Sequence, residues 1–324
     1  MHKIMKLLKY MLCLSVLVST ISCTEETETL LKDDYIMKTY APAVAGEPIE
    51  FAYAMGAMEG FLSAANAEVN IPGASGTGFD PNSYHVDSRG NDVGVLVADT
   101  STEGGTSTAV FNYDTVVATL RYSYVVPEEA KGQDVSITFS AESSIGETVS
   151  TSVPEFRVSR ITMKRDIELT DQDVCYFSVE DMEGYTEAEV IANGLENKID
   201  LIYIYDALNP EGFKYGHALV SPGSDERYFN EVNVPASFRI NKTKIEKRAY
   251  LWDSHFTGEV PAVYVDDIDL ETLDLTGAAD FTLSITKRTS AFIETADGRY
   301  RAYIYVNNAR SSTLTFGIKR LEIQ

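Results

Sequence analysis

Few residues of this chain carry reactive groups, and they are scattered. Beyond residue 22 there are three histidines, His85, His217 and His255, and none pairs with another at the spacing of a helical metal motif. A zinc or other metal centre needs clustered His, Cys or carboxylate ligands, so no metal site is expected. A nucleophilic triad needs Ser or Cys beside His and a carboxylate, and no Gly-x-Ser-x-Gly elbow occurs. His217 and Ser221 lie four residues apart in Tyr215–Pro222, a segment that reads as a strand running into a proline turn. Cys175 sits in the apolar run Val174-Cys175-Tyr176-Phe177 and reads as a buried, inert thiol. The dense acidic run Asp266–Glu271 lacks the Asp-x-Asp-x-Asp-Gly order of a calcium loop and reads as a solvated acidic loop. With 49 acidic residues, any pair of carboxylates could be nominated for glycosidic chemistry, so none is informative. The expectation is a protein without catalytic residues and without a cofactor.

Aromatic platforms remain. Sugar rings dock their apolar faces on Trp or Tyr while polar neighbours fix the hydroxyls. Trp252 is the only tryptophan, and it lies in Tyr250–His255 beside Asp253 and His255. Tyr203, Tyr205 and Tyr264 are expected to line the same face. These six residues form the candidate ligand-binding set. The competing role for each ring is filling a core.

The elements that would position them read as strands. Ile49–Tyr53, Val93–Ala98, Thr108–Tyr113, Val116–Val126, Asp134–Ala141 and Val153–Val158 alternate or run apolar between Gly, Pro and Ser turns. Leu120, Tyr122 and Tyr124 should share one face, as should Val135, Ile137 and Phe139. Gly73–Gly78 lacks the Lys-Ser/Thr ending of a phosphate loop and reads as a connection. Further on, Leu201–Tyr205 is a strong strand and Glu187–Asn193 a helical turn. Phe281–Ile285, Ala291–Thr295, Arg299–Asn307 and Leu314–Ile318 read as an antiparallel meander, with Asp297-Gly298 as one hairpin turn. The fold class expected is all-β, with two β-sandwich-type domains. The first, residues 34–160, is immunoglobulin-like in architecture; the second, 161–324, is β-rich and the candidate ligand-binding domain.

The first 22 residues read differently. Lys3, Lys6 and Lys9 precede an apolar run, Tyr10–Val18, and small residues close the segment at Cys23. That is the order of an export signal, and the run is too short for a membrane-spanning helix. The full chain carries 27 basic and 49 acidic residues, net −22. Without the leader 24 basic residues remain, so the net charge is −25, which repels phosphate backbones and argues against nucleic-acid partners.

Thr20-Ile21-Ser22-Cys23 resembles a bacterial lipobox, whose cysteine is lipidated after the leader is removed. The resemblance implies a lipid on Cys23, and several acyl chains on one residue give stable anchoring. Thr24-Glu25-Glu26 opens an acidic tether, residues 23–33, that resembles the export signal of surface lipoproteins in gut Bacteroidetes. Asp114-Thr115-Val116 resembles a short O-glycosylation motif of exported proteins in the same group. Ser22-Cys23-Thr24-Glu25-Glu26, with Tyr124-Val125-Val126-Pro127 and with Asp200–Asp206 followed by His217–Pro222, resembles an uncharacterised family of two-domain lipoproteins of gut Bacteroidetes. The resemblance implies an outer-membrane, lipid-anchored, surface-exposed location. It also implies a polysaccharide or another extracellular ligand. The alternative is a structural or adhesive part of an outer-membrane assembly.

Overall fold

The computed structural model describes residues 29–206, 212–229, 232, 234–238, 241–259 and 263–323. The leader, Cys23 and the tether up to residue 28 lie outside the described residues. No described helix is long and apolar enough to cross a membrane.

Ten strands build the first unit. One sheet has the order β1 (Leu31–Met37), β2 (Pro48–Ala57), β8 (Val117–Val125), β4 (Gly78–Val86), β5 (Asp92–Leu96). The other runs β10 (Thr148–Arg157), β9 (Asp134–Ser143), β3 (Leu62–Val69), β7 (Thr106–Phe111), β6 (Ala98–Glu103). All pairings between these strands are antiparallel. Side chains alternate across a strand, so Ala118, Leu120, Tyr122 and Tyr124 of β8 turn inward to meet Val135, Ile137 and Phe139 of β9. Phe139 is the hub: it stacks on Tyr53 with ring centroids 4.8 Å apart and takes the edge of Tyr122 at 5.5 Å. Leu31 is fully buried in this core. Strand β1 therefore claims Leu31–Asp33 from the segment expected to be tether.

The second unit repeats the two-sheet plan. Its outer sheet runs β11 (Thr162–Thr170), β20 (Thr313–Glu322), β19 (Tyr300–Arg310), β18 (Ser290–Glu294), β16 (Lys244–Arg248). Its inner sheet runs β13 (Glu183–Tyr185), β12 (Tyr176–Ser178), β14 (Leu201–Tyr205), β15 (His217–Val220), β17 (Phe281–Ile285). The expected meander is corrected here. Strands β18, β19 and β20 form it, but Phe281–Ile285 pairs with β15 in the opposite sheet. The hairpin between β18 and β19 turns at Asp297-Gly298 as expected, with Gly298 at φ 72° and the Gly298 N–H bonded to Thr295 O at 2.9 Å. The first helix, α1 (Glu187–Asn193), has a capping box from Thr186 and Glu189 and ends on left-handed Gly194.

Strand β20 splits its side chains between two cores. Leu314, Phe316 and Ile318 face the inner sheet, whereas Leu321 faces the other way, into a second cluster with Tyr303 and Tyr305 of β19. That second face is covered by the long excursion between β16 and β17, residues 249–280. The excursion contains a second short helix, α2 (Asp267–Glu271).

The acidic run expected to be a solvated loop is this helix. Asp266 caps it, accepting from the N–H groups of Ile268 and Asp269, while Asp269 answers the Asp266 N–H. Asp267 is buried against Arg160, which donates to it from the backbone at 3.0 Å and from Nε at 3.2 Å. Burial works to raise the Asp267 carboxyl, but the Arg160 donors outweigh it and hold the group below the usual range. Arg160 lies on the segment joining the two units. Val44 and Ile161 are buried in the same cluster as α2, and Arg165 of β11 pairs with Glu47 of the β1–β2 connection. The excursion thus closes the waist between the units.

Candidate functional site

The six candidate residues fall into two places. Trp252, Asp253, His255 and Tyr264 are together on the excursion. Tyr203 and Tyr205 are on β14, in the other core of the second unit, beside His217. Tyr203 is fully buried and its hydroxyl meets His217 Nδ1 at 2.8 Å, so it is a core residue and no platform. Burial pushes its phenol upward and the His217 imidazole downward. Tyr205 is half-buried against the His217 ring at 4.8 Å. Ser221 does not face His217: its Oγ donates to Asn241 O at 2.6 Å and accepts the Thr243 N–H at 2.9 Å. No triad forms there.

On the excursion, residues 252–254 lie beside 263–265. Asp253 bridges Val263 in parallel, Val263 N–H donates to Trp252 O at 2.9 Å and Ser254 N–H to Val263 O at 2.7 Å. Asp253, expected to face a ligand, has no accessible surface. Its Oδ1 accepts the His255 N–H and its Oδ2 the Val265 N–H, each at 2.8 Å, and Lys319 Nζ sits 2.6 Å from Oδ2. Lys319, on β20, is equally buried, donates to Val265 O at 2.7 Å and lies 5.7 Å from the Phe256 ring centre. Burial pulls its ammonium below the ordinary lysine range, and the Asp253 carboxylate works against that. A carboxylate with this donor set is a fastening for the excursion, because a buried charge is tolerated only when paired and hydrogen-bonded.

The His255 side chain is only 7% exposed, and its imidazole is pulled down to about 4, first by burial and then by the Lys319 charge. Its ring lies 4.8 Å from Tyr264. Phe256 presses on Gly317 of β20, where a Cβ would come within 2.4 Å of the ring. Tyr303 donates to Leu251 O at 2.7 Å, and Asn307 Nδ2 to Phe256 O at 3.1 Å.

What remains accessible is a rim. Tyr264 is 39% exposed and Tyr250, absent from the expected set, is 86% exposed. Trp252 is half-buried, with the Arg288 guanidinium 5.3 Å above its ring. No group of three or more His, Cys, Asp or Glu side chains among the described residues is placed to hold a metal. Lys319 and Arg288 were beyond sequence reasoning. An isolated Lys in an amphipathic strand ordinarily marks the solvent face, and only the covering excursion reverses that.

The fold defines the class: a two-unit, all-β protein of antiparallel sandwiches, with a fastened excursion at the waist. Residues 28–158 match the domain of unknown function DUF4466, and residues 159–323 the domain of unknown function DUF8576. A crystal structure of a DUF4466 family protein from Parabacteroides merdae is 36% identical, with a TM-score of 0.83 over 90% of this chain and 99% of that one. The chain belongs to this DUF4466 family. Weaker likenesses are to BcpA, the major pilin subunit of Bacillus cereus (12% identity, TM-score 0.28, 61% of this chain and 54% of that chain), and to the SrpA adhesin from Streptococcus sanguinis (12%, 0.24, 60% and 88%). Neither of these likenesses extends to function. No curated protein matches the chain.

Proposed function

We propose that this is a non-catalytic, cell-surface lipoprotein, anchored in the outer membrane through Cys23. Its second unit presents the Tyr250–Trp252–Tyr264 rim to an extracellular ligand, with a polysaccharide as the best fit. The observation that carries the reading is the way the rim is built. Accessible aromatic rings stand on an irregular segment that a buried Asp253–Lys319 pair holds in place. A backbone fastened before a ligand arrives loses little freedom on binding, which favours capture of a flat, weakly polar face such as a pyranose. The Arg288 guanidinium above Trp252, paired with Glu259 and half exposed, supplies hydrogen-bond donors for hydroxyls. The acidic surface, net −25 once residues 1–22 are removed, disfavours nucleic acid and anionic polymers, so neutral glycans come first.

Native affinity electrophoresis through a panel of neutral polysaccharides tests this. The parent chain should be retarded by at least one of them. Tyr250→Ala with Tyr264→Ala should weaken retention by about tenfold per ring, and Tyr250→Ala alone should leave the melting temperature unchanged, since that ring is 86% exposed. Equal mobility of parent and variant on every gel rejects the glycan reading. A stoichiometric protein partner, cross-linked on intact membranes, would move the function to a structural or adhesive role.

A further inference from the structure

The end of the first unit remote from the waist carries a group of exposed apolar side chains. The β2–β3 turn brings Met58 (69% exposed) and Phe61 (38%). The β7–β8 connection brings Tyr113 (62%) and Val116 (45%), with Val117 (71%) opening β8, and the β9–β10 turn brings Ile145 (50%). Register places them on one end. Gly56 faces Val117 across the β2–β8 ladder and Leu62 faces Ser143 across β3–β9. The turns are tied together: Ala57 N–H donates to Val116 O at 2.9 Å, Leu62 N–H to Thr115 O at 2.8 Å and Ser144 N–H to Phe61 O at 2.8 Å. Gly60 turns at φ 69° with the Ile145 side chain against it. Single exposed apolar residues are ordinary on a protein surface; six on one end, from three separate connections, are a patch.

The chain enters the fold at this same end. Met58 N–H donates to Leu30 O at 2.6 Å, and Leu31 pairs with Ala57. Six residues lie between Cys23 and Leu30, and the seven steps from one to the other reach roughly 25 Å when fully extended. A lipid on Cys23 therefore keeps the apolar end within that distance of a bilayer, while the ten-residue strands set the waist roughly 33 Å further out. At so short a tether the effective concentration of bilayer at the patch is high, and weak apolar contact suffices.

We infer that the Met58–Phe61–Val117 end of the first unit is a membrane-contact surface. These side chains rest in the headgroup region of the bilayer that holds the Cys23 lipid, and the excursion rim stands away from it. This inference rests on the lipid-anchored reading above. The flanking acids Glu59 and Asp114, with the net negative charge of the whole chain, make a zwitterionic bilayer the matching surface.

The test uses the chain from residue 23 onward, which contains every described element of the fold. It is coupled through Cys23 to a maleimide lipid in phosphatidylcholine vesicles, with brominated phosphatidylcholine as quencher. Trp252, the native tryptophan, sits at the waist and is the internal reference. The indole introduced by Tyr113→Trp should be quenched well beyond that reference. Val117→Asp with Met58→Asp in the same background should lower bilayer occupancy by about tenfold per side chain and abolish the excess quenching. Quenching no greater than that of Trp252 overturns the inference. So does a concentration-dependent dimer that Val117→Asp dissociates without any bilayer quenching, which would assign the patch to a second copy. A glycan on Thr115 in native material also overturns it, because sugar would cover the patch. An unmodified Cys23 in native material sinks the anchoring reading on its own, and the coupled chain still reports on the patch.

Discussion

Asp253 is the residue on which the excursion turns. It accepts two backbone N–H groups and a lysine ammonium and has no accessible surface. Removing one partner of such a pair strands the other charge, so Asp253→Ala should cost about 3–5 kcal/mol in chemical denaturation. Restoring stability with Lys319→Met in the same chain would identify the stranded ammonium as the cause. His255 adds a pH dependence of definite sign. Its folded-state value, about 4, lies below the 6.5 of an exposed imidazole, so the unfolded chain takes up a proton that the folded chain refuses. The stabilisation is complete above about 6.5 and is lost as pH falls toward 4, an effect of about 2–3 kcal/mol. His255→Phe should flatten the unfolding free energy across that window; an unchanged slope would place the titration elsewhere. The sequence marked Trp252, Asp253 and His255 as neighbours with chemistry, and the structure keeps them together. It could not reveal that Asp253 is buried, because the partner that buries it is 66 residues away on β20.

Strands with one buried face were legible as elements, and strands without that pattern were not. Strand β8 alternates strictly, with Ala118, Leu120, Tyr122 and Tyr124 inward, and its expected bounds differ from the observed ones by one residue at each end. Strand β3, Leu-Ser-Ala-Ala-Asn-Ala-Glu-Val, is too small and polar to stand out, yet it is central in its sheet, where Ala65 and Ala67 are buried. Strand β17 was assigned to the wrong sheet because hydrophobic period gives a face, not a neighbour. The excursion was unreadable for a related reason: irregular segments have no period, and its order comes from docking on the outer sheet. Gly317 is the contact that permits this docking. Gly317→Ala should drive a methyl into the Phe256 ring and cost about 1–3 kcal/mol. Hydrogen exchange should rise across residues 250–275 while the first unit stays protected. Uniform exchange across both units would mean that the excursion is not a separate layer.

At the scale of the molecule, the order of the parts along the chain matters. The chain enters beside an apolar end, runs through an acidic sandwich, passes Arg160 at the waist, and presents aromatic rings from the second unit. That order suits a protein held to a bilayer at one end and reaching outward at the other. The 36% identity to the Parabacteroides merdae protein extends over 90% of this chain and 99% of that one, so that protein shares the pairing of the two units. The proposed arrangement depends on a lipid at Cys23. Intact-mass and peptide mass spectrometry of the protein extracted from its native membranes tests this most directly. The proposal predicts an N-terminus at Cys23 carrying acyl chains, with residues 1–22 absent. A chain that retains those residues, or an unmodified thiol at Cys23, would contradict it.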